Sequence, residues 1–196
     1  MFHVKQSLNL NFNTFPTLYT DRLILRNITL KDAEDFFTIR SNPDLMYALD
    51  KLPYTNIEEI NSYVQQYQER LCKQEELKWA ICLKENNKMI GAVGFFRIND
   101  ESKIAEIGYE LLPAFHRQGI AFEAISEALN YAFNLIGFAD IEAGVNPDNY
   151  ISIRLLFKCG FIKVRHVKGD YYYNSTYLDS DYYSLSKNNY IRILMQ

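Results

Sequence analysis

The stretch AEIGYELLPAFHRQGIAFEAISEAL, residues 105–129, decides the fold of this chain. A β-type run over residues 104–112 ends at Pro113, and a turn of small residues around Gly119 then begins a strongly periodic helix. One face of that helix stays apolar for several turns, through Ile120, Ala121, Ala124, Ile125, Ala128, Leu129, Ala132 and Phe133. A helix N-terminus that follows a strand presents free backbone N–H groups and a positive dipole end, and both suit phosphate oxygens.

A second helix start lies one strand further along, in NPDNYISIRLLFKCGF, residues 146–161. Residues 140–145 are predicted as the short strand before it. Asn149 has the side chain of a helix N-cap, with Ser152 at the third helical position. Gly160 suits the left-handed residue that ends many helices. Two helix N-termini, each after a strand, together predict a cofactor site.

The composition bounds the class of protein. With 196 residues, 48% of them hydrophobic and 23% charged, the chain fits one globular domain. A formal charge of −3 and a pI near 5.7 argue against a broad basic surface, so we expect no direct binding to nucleic acid or membrane. The absence of a signal-peptide pattern and of a spanning apolar run predicts a cytoplasmic protein. Three cysteines without metal-ligand spacing predict buried thiols and no metal site.

Alternation, periodicity and turn residues predict the remaining elements. They are a strand over 22–27, a helix capped by Thr29 with Asp32 as reciprocal partner, a loop from Leu45 to Tyr54, a helix capped by Asn56 with Glu59, paired strands over 77–83 and 89–98, and β segments over 161–167, 170–177 and 182–186. Residues 1–19, polar and Asn-rich, are predicted as an N-terminal extension, and residues 20–196 as a single domain. This order predicts one α/β domain on a mixed, largely antiparallel sheet flanked by helices.

Four motifs resemble the GNAT superfamily of acyl-CoA N-acyltransferases, specifically its RimJ/RimL type, which acetylates protein N-termini. They are TDRLILRNIT (residues 20–29), AEIGYELLP (105–113), GIAFEA (119–124) and NPDNYISIRLLFKCGF (146–161), and the resemblance extends over residues 20–187. It implies a GNAT fold whose strands splay at an acyl-CoA site, with acetyl-CoA as cosubstrate. It also implies direct transfer of acetyl, within a ternary complex, to a primary amine such as the N-terminus of a ribosomal protein. The enzyme would be a monomer or a homodimer.

The GNAT phosphate loop has the pattern Gln or Arg, two residues, Gly, one residue, then Gly or Ala, which falls here on residues 116–121. The resemblance implies CoA contacts from His116, Arg117, Gln118, Gly119, Ile120, Ala121 and Phe122. His116 departs from the usual Gln or Arg, although Arg117 beside it supplies a positive charge. A small residue at Gly119 lets the backbone approach a pyrophosphate closely. The alternative is a plain strand-to-helix connection in which Gly119 only shapes the turn.

The resemblance further implies that the strand before this loop carries a β-bulge and diverges from the parallel strand that follows. Backbone groups near Leu111 and Leu112 would then pair with the pantetheine arm, and one N–H would polarise the thioester carbonyl. Asn149 would contact the same arm, and Ser152 would lie near the sulfur and protonate the departing thiolate. Tyr150 is the competing hydroxyl. The local alternative is that Asn149 caps the helix and Ser152 is only its third residue.

A base is expected because attack on the thioester needs a neutral amine. Glu106 matches the strand carboxylate that serves as base, often through water, in several GNAT enzymes. Glu110 lies four residues further along and shares the face of Glu106 unless a bulge intervenes. The alternative for each carboxylate is that it lies in solvent and has no catalytic role. An α-amine, with a pKa of roughly 7.7–8.0, needs little help from a base.

Other functional classes fit the same sequence. One keeps acetyl-CoA but transfers acetyl to a small-molecule amine, such as a polyamine, an amino acid or an antibiotic. Another is a non-catalytic acyl-CoA-binding module, which an assay of thiol release would reveal because it consumes no acetyl-CoA. A nucleotide-binding α/β protein fits poorly, because the G-x-G-x-x-G pattern and an acidic residue after the next strand are missing from the sequence.

Overall fold

The sheet and its helices are seen in a computed structural model, which describes residues 7–10 and 14–195. Within those residues the strands are β1 Leu18–Tyr19, β2 Leu23–Asn27, β3 Leu77–Leu83, β4 Met89–Asn99, β5 Ile104–Leu111, β6 Asp140–Val145, β7 Ile162–Tyr173 and β8 Thr176–Ser186. The α-helices are α1 Ala33–Arg40, α2 Pro43–Ala48, α3 Ile57–Cys72, α4 Ile120–Tyr131, α5 Tyr150–Lys158 and α6 Lys187–Leu194. None of the helices in this described part is long and apolar enough to cross a bilayer.

The strands form one sheet in the order β1-β2-β3-β4-β5-β6-β8-β7. Each neighbouring pair is antiparallel except β5 and β6, which run parallel. These two strands pair only from Ile104 to Glu106 against Asp140 to Glu142, and β5 then continues to Leu111 without β6 beside it. The prediction of a mixed, largely antiparallel sheet with splayed strands is therefore confirmed.

Helices cover both faces of the sheet. Lys78 and Trp79 are consecutive in β3, so their side chains point to opposite faces. Lys78 bonds to Tyr63 of α3, whereas Trp79 packs edge-on against Tyr131 of α4, with ring centroids 5.7 Å apart. Helix α1 packs beside α3 on the first face, and α5 lies beside α4 on the second. The gap between β5 and β6 therefore opens a passage between two helix layers.

The described part of the predicted N-terminal extension packs onto the domain. Leu8 is buried, and its N–H donates to Asp100 Oδ1 over 2.7 Å. The short strand Leu18–Tyr19 pairs with β2, so the sheet begins within the predicted extension. Residues 1–6 and 11–13 of that extension lie outside the described residues.

The prediction of a loop from Leu45 to Tyr54 is wrong in its first half, because Pro43–Ala48 forms α2. Asn42 caps this helix by accepting from the Leu45 N–H over 2.9 Å. The proline lies in the first turn, where its missing N–H would have no helical partner in any case. The helix is too short for its apolar residues to show a period, and this is why the sequence did not reveal it.

The β-rich tail forms one long hairpin rather than the three predicted segments. Strands β7 and β8 are joined at Asn174 and Ser175, whose φ angles of 46° and 65° are those of a tight hairpin turn. The predicted interruptions fall instead at one register shift, between Val167 and Tyr171 of β7 and opposite Leu178 to Ser180 of β8, and both strands continue through it. Helix α6, Lys187–Leu194, was not predicted at all.

The cysteines differ from expectation at one position. Cys82 and Cys159 are buried, and burial raises the pKa of each thiol to about 12. Cys72 is exposed instead, because it ends α3 on the outer side of that helix.

The expected bulge in β5 is wrong, because the irregularity lies in β4. Strand β5 keeps regular pairing with β4 from Glu106 onward, and the register shifts only between Phe96 and Asn99 of β4. Arg97, within that shift, has a φ of 51°, a left-handed conformation that absorbs the extra residue. Because β5 itself is regular, Glu106 and Glu110 lie on the same face of the strand.

Candidate active site

A cavity of about 580 Å³ lies at the gap between β5 and β6. Its walls come from β3, β4, β5 and β6, the ends of α1 and α2, the start of α5 and the β7–β8 hairpin. Of the residues predicted from sequence, it brings together Glu106, Glu110, Asn149 and Ser152. A concave site at a break in a sheet is a usual place for a ligand.

The end of β5 directs backbone groups into this gap. The Leu112 N–H already donates to the Ile90 carbonyl over 2.9 Å, so it is not available to a thioester. Because backbone groups alternate in direction along a strand, those of Leu111 face the other side, where β6 has diverged. The Leu111 carbonyl is indeed 2.8 Å from His116 Nε2 on that side. Leu111, rather than Leu112, therefore has the N–H that is directed at the gap.

The predicted phosphate loop forms the N-terminus of α4. Gly119 is the N-cap residue with a φ of 79°, and a Cβ there would come no closer than 3.5 Å to its nearest neighbour, Arg22 Nη2. Arg117 is also left-handed, with a φ of 61°. The N–H groups of the first helical turn have no partners within a helix. An open turn with free N–H groups and no side chain on its central residue fits a pyrophosphate.

The other predicted loop residues support this turn. The Gln118 side chain folds back onto the preceding turn, where its Nε2 donates to the Ala114 carbonyl over 2.9 Å. Ile120 is buried in the core, and Ala121 and Phe122 are partly buried. Lys158 of α5 places its Nζ 4.4 Å from the centre of the Phe122 ring. Apolar packing against the core thus holds the loop in place.

Arg22 is a neighbour of this loop that sequence reasoning missed. Its Nη1 donates to the Gln118 carbonyl over 2.9 Å, and its Nε donates to Glu123 Oε2 over 2.7 Å. The Thr20 hydroxyl donates to the other oxygen of Glu123 over 2.6 Å. Partial burial would raise the pKa of Glu123, but these hydrogen bonds outweigh burial and hold that pKa below its usual value. The start of β2 is thereby tied to the phosphate loop.

Ser152 and Tyr109 form a pair of hydroxyl groups in the cavity wall. Ser152 lies in the first turn of α5, and its Oγ is 2.7 Å from the Tyr109 hydroxyl of β5. Burial raises the pKa of Tyr109 well above its usual value, although the bond to Ser152 opposes this effect. The phenol is therefore protonated at neutral pH. Sequence reasoning missed Tyr109, although it lies within the quoted motif.

Asn149 and Tyr150 have different positions at the start of α5. Asn149 Oδ1 accepts from the Ser152 N–H over 3.1 Å, and its Nδ2 donates to the Ala48 carbonyl over 2.8 Å. Asn149 therefore caps α5 and joins it to the end of α2. Tyr150 is 65% exposed and does not line the cavity. The hydroxyl that the structure brings to Ser152 is that of Tyr109, not that of Tyr150.

Glu106 and Glu110 line the cavity from the side of α1, and each has a cationic partner. Glu106 Oε2 lies 2.6 Å from Arg97 Nη1, and 15% of its side chain is exposed. Glu110 Oε1 lies 2.7 Å from Arg40 Nη2 of α1, and 5% of its side chain is exposed. Neither is therefore a freely solvated strand carboxylate.

The β7–β8 hairpin meets the end of α2 across the cavity. The Tyr171 hydroxyl donates to Asp50 Oδ2 over 2.5 Å, and Asn146 Nδ2 donates to the same oxygen over 3.1 Å. The Tyr173 hydroxyl donates to the Lys51 carbonyl over 3.2 Å. Burial and the charge of Asp50 raise the pKa of Tyr171, so its phenol keeps the proton it donates. These contacts fix two walls of the cavity against each other.

A parallel strand pair that splays beside a glycine phosphate loop defines the GNAT class of acyltransferases. The chain belongs to that family, because the Acetyltransferase (GNAT) domain family matches residues 22–162. It is accordingly an N-acetyltransferase with acetyl-CoA as cosubstrate. The uncharacterized N-acetyltransferase YoaA of Bacillus subtilis (strain 168) is 38% identical over 175 residues, which are 88% of this chain and 98% of YoaA.

Two solved structures share the fold at low sequence identity. The spermidine N-acetyltransferase from Vibrio cholerae, in complex with CoA and spermine, has a TM-score of 0.77 at 22% identity, covering 88% of this chain and 99% of that one. The ribosomal-protein-S5-alanine acetyltransferase from Vibrio fischeri has a TM-score of 0.76 at 20% identity, covering 89% and 98%. The two are named for different acceptors, so the shared fold does not select an acceptor for this chain.

Proposed function

We propose that this GNAT enzyme transfers acetyl from acetyl-CoA to the α-amine of a peptide or protein N-terminus, as the RimJ/RimL type does. The passage through the sheet supports direct attack in a ternary complex. CoA binds along the face that carries α4 and α5, and the acceptor enters from the face that carries α1. The two substrates then meet at the gap between β5 and β6, where neither needs to leave before the other reacts.

The observation that carries this proposal is the charge of the cavity wall. Among the described residues that line the cavity, the acidic side chains are those of Asp50, Glu106, Glu110 and Asp170, and the basic ones are those of Arg40, Lys51, Lys78 and Arg97. A polyamine carries several positive charges, so an excess of carboxylates would favour it. The wall has no such excess. A balanced wall suits an acceptor with a single reactive amine.

In the proposed mechanism, Ser152 and Tyr109 supply the proton that the departing thiolate takes up. Ser152 Oγ donates its proton to the sulfur, the Tyr109 hydroxyl, 2.7 Å away, replaces the proton on Ser152, and Tyr109, which also lines the cavity, takes a proton back from cavity water. The N-terminal end of α5 adds a positive dipole beside the developing charge. The Leu111 N–H stabilises the oxyanion that forms when the amine attacks the carbonyl carbon.

Glu106 is the base in this mechanism, directly or through water. Its side chain is partly exposed to the cavity, so a proton taken from the amine can pass on to solvent. Glu110 is less suited to this exchange, because its carboxylate is enclosed with Arg40. Near pH 7 an α-amine is neutral to the extent of roughly a tenth, so the demand on the base is small.

Acetyl-CoA turnover with different classes of amine tests the proposal. The protein is incubated with acetyl-CoA and, in separate reactions, with N-terminal peptides, spermidine, free amino acids or an aminoglycoside, and the release of free thiol is followed. We expect the highest kcat/KM with the peptides. Faster turnover with spermidine would replace the proposal with polyamine acetylation. No thiol release with any amine would point to an acyl-CoA-binding module.

A further inference from the structure

A second concavity, of about 540 Å³, adjoins the cavity on the face of the sheet that carries α1 and α3. The two share four lining residues, which are Lys51, Lys78, Phe96 and Arg97. An acceptor whose amine lies at the gap between β5 and β6 can therefore extend its following residues into the second concavity. Each extended residue adds at most about 3.6 Å, so positions 2 to 4 of a peptide cover the distance across a cavity of this size.

The second concavity is positive in charge, whereas the cavity is balanced. Among the described residues that line it, the basic side chains are those of Lys51, Arg70, Lys78 and Arg97, and the acidic ones are those of Glu75 and Glu76. Glu76 already serves two of the cations, because its Oε2 lies 2.6 Å from Arg70 Nε and its Oε1 lies 2.7 Å from Lys78 Nζ. Arg97 is paired with Glu106 in the wall of the cavity. The acidic lining therefore leaves positive charge unmatched.

Lys51 is a cation at the junction of the two concavities that has no ion pair with any described residue. Its side chain is exposed and lines both concavities, so a bound molecule can contact it. The protein around the concavities partly replaces bulk water, and this burial, together with the charge of Arg40, lowers the pKa of Lys51. A bound carboxylate would offset both effects, because an opposite charge favours the protonated amine.

We propose that the second concavity binds an acidic residue of the acceptor peptide close behind its N-terminus, and that Lys51 contacts the carboxylate of that residue. The α-amine lies at the gap, and the peptide backbone passes Lys51. A polyamine or a lysine-rich N-terminus brings further positive charges to this lining and is disfavoured. This inference rests on the proposed function and narrows its substrate class to N-termini with an acidic residue at positions 2 to 4.

Three pairs of peptide amides test the subsite in the unaltered protein. Each peptide has a free N-terminus and neutral side chains, except that one member of a pair has glutamate and the other has glutamine at position 2, 3 or 4. We expect at least one position to give a KM about 3- to 10-fold lower with glutamate, as a partly exposed ion pair predicts. The difference should shrink at high salt. Equal KM values at all three positions would overturn the proposal.

Variants of Lys51 assign the contact. Lys51→Gln should raise the KM of the glutamate peptide to that of its glutamine partner, whereas Lys51→Arg retains the charge and should retain the difference. Lys88→Gln is the matched control, because Lys88 is exposed, lines neither concavity and changes the net charge equally when replaced. It should also retain the difference. A preference for glutamate that survives in Lys51→Gln would refute the contact with Lys51.

The outcomes separate this inference from the proposed function. If peptides are acetylated with no preference for glutamate, the subsite is refuted and the proposed function stands. If no peptide is acetylated, the proposed function fails and this inference fails with it. Glycine and glycinamide are compared as well, because a free amino acid also brings a carboxylate. Faster turnover of glycine than of every peptide would assign the subsite to amino acids and overturn the inference.

Discussion

Ser152 is held at the cavity wall from two sides. Its N–H is fixed by Asn149 and its Oγ by the hydroxyl of Tyr109. A serine hydroxyl alone is a weak acid, but one bonded to a second hydroxyl can give up a proton and receive another in the same step. The function proposed for this residue therefore depends on a neighbour that is buried and carries a proton at neutral pH.

We expect Ser152→Ala and Tyr109→Phe each to lower kcat by roughly 10²–10⁴-fold, because both remove the proton supplied to the thiolate. Affinity for CoA should stay nearly unchanged. Since the two hydroxyls act in series, the double variant should be little slower than the slower single variant. Steady-state kinetics and calorimetry measure these quantities.

Tyr150→Phe is the control for this experiment, because it removes an exposed hydroxyl at the start of the same helix. It should keep full activity. A loss of kcat in Tyr150→Phe together with a fully active Tyr109→Phe would reverse the assignment of the second hydroxyl.

Residues in short motifs were predictable from the sequence, and residues that act through distant partners were not. Ser152 and Glu106 lie in motifs whose spacing carries the resemblance. The role of Tyr109 depends on a contact between residues 43 apart in the chain, and the Arg40 bond to Glu110 joins residues 70 apart. Such contacts follow from how helices pack on the sheet, which local periodicity does not determine.

At the scale of elements, α4 was predicted close to its observed bounds, Ile120–Tyr131. Both of its signals are local: a continuous apolar face and the glycine before it. The divergence of β5 from β6 was predicted only from the family resemblance. The β-bulge that the same resemblance implies was assigned to β5, whereas it lies in β4. A register shift depends on two strands at once, so neither sequence alone reports which of them bends.

The N-terminus of α4 leads to a second prediction. We expect Gly119→Glu to weaken CoA binding by roughly 10²-fold or more, because it adds bulk and negative charge where the pyrophosphate should lie. Gly137 follows the helical segment after α4 with a φ of 94°, and a Cβ added there would meet no other atom within 4 Å. Gly137→Glu is therefore the matched control, with comparable backbone strain of roughly 1–2 kcal/mol.

Calorimetry of both folded variants decides between the two interpretations of the loop. Gly137→Glu should lose stability but keep its CoA affinity. If the folded Gly119→Glu variant also keeps wild-type affinity, the pyrophosphate does not lie at this loop and the glycine only shapes the turn.

The hydrogen bonds from the start of β2 to Glu123 of α4 predict how stability depends on pH. The pKa of Glu123 is lowered in the folded protein, so this carboxylate contributes stability above its unfolded pKa of about 4.3 and loses it as pH falls through the lower folded value. We expect Glu123→Gln to reduce the free energy of unfolding by roughly 1–2 kcal/mol at neutral pH. That deficit should shrink once the pH falls below about 4.

Glu127, one turn further along α4, is the control. Burial raises the pKa of Glu127, so its charge opposes folding at neutral pH, and Glu127→Gln should be neutral or stabilising. Denaturant unfolding across the acid range measures both variants. If Glu123→Gln lowers the free energy of unfolding by the same amount at every pH, the charge of the carboxylate is not what connects β2 to α4.

At the scale of the whole molecule, the proposed mechanism places the two substrates on opposite faces of the splayed sheet. The phosphate loop and the hydroxyl pair lie with α4 and α5, and the two glutamates lie on the face of α1. The β7–β8 hairpin and the end of α2 close the remaining sides through the Tyr171 bond to Asp50. In the proposed mechanism, an acceptor reaches the thioester through the opening that these elements bound.

A single peptide with a free N-terminus and one internal lysine tests this selectivity. We expect acetylation of the α-amine with at least about a tenfold preference, because near pH 7 roughly a tenth of the α-amine is neutral, whereas lysine, with a pKa of about 10.4, is almost wholly charged. The cavity wall, balanced in charge, provides no excess of carboxylates to draw in a second cation. The same peptide with a blocked N-terminus is the control and should be nearly unreactive. Fragmentation mass spectrometry locates the label, and label confined to lysine in both peptides would refute the acceptor while leaving the GNAT fold and the use of acetyl-CoA intact.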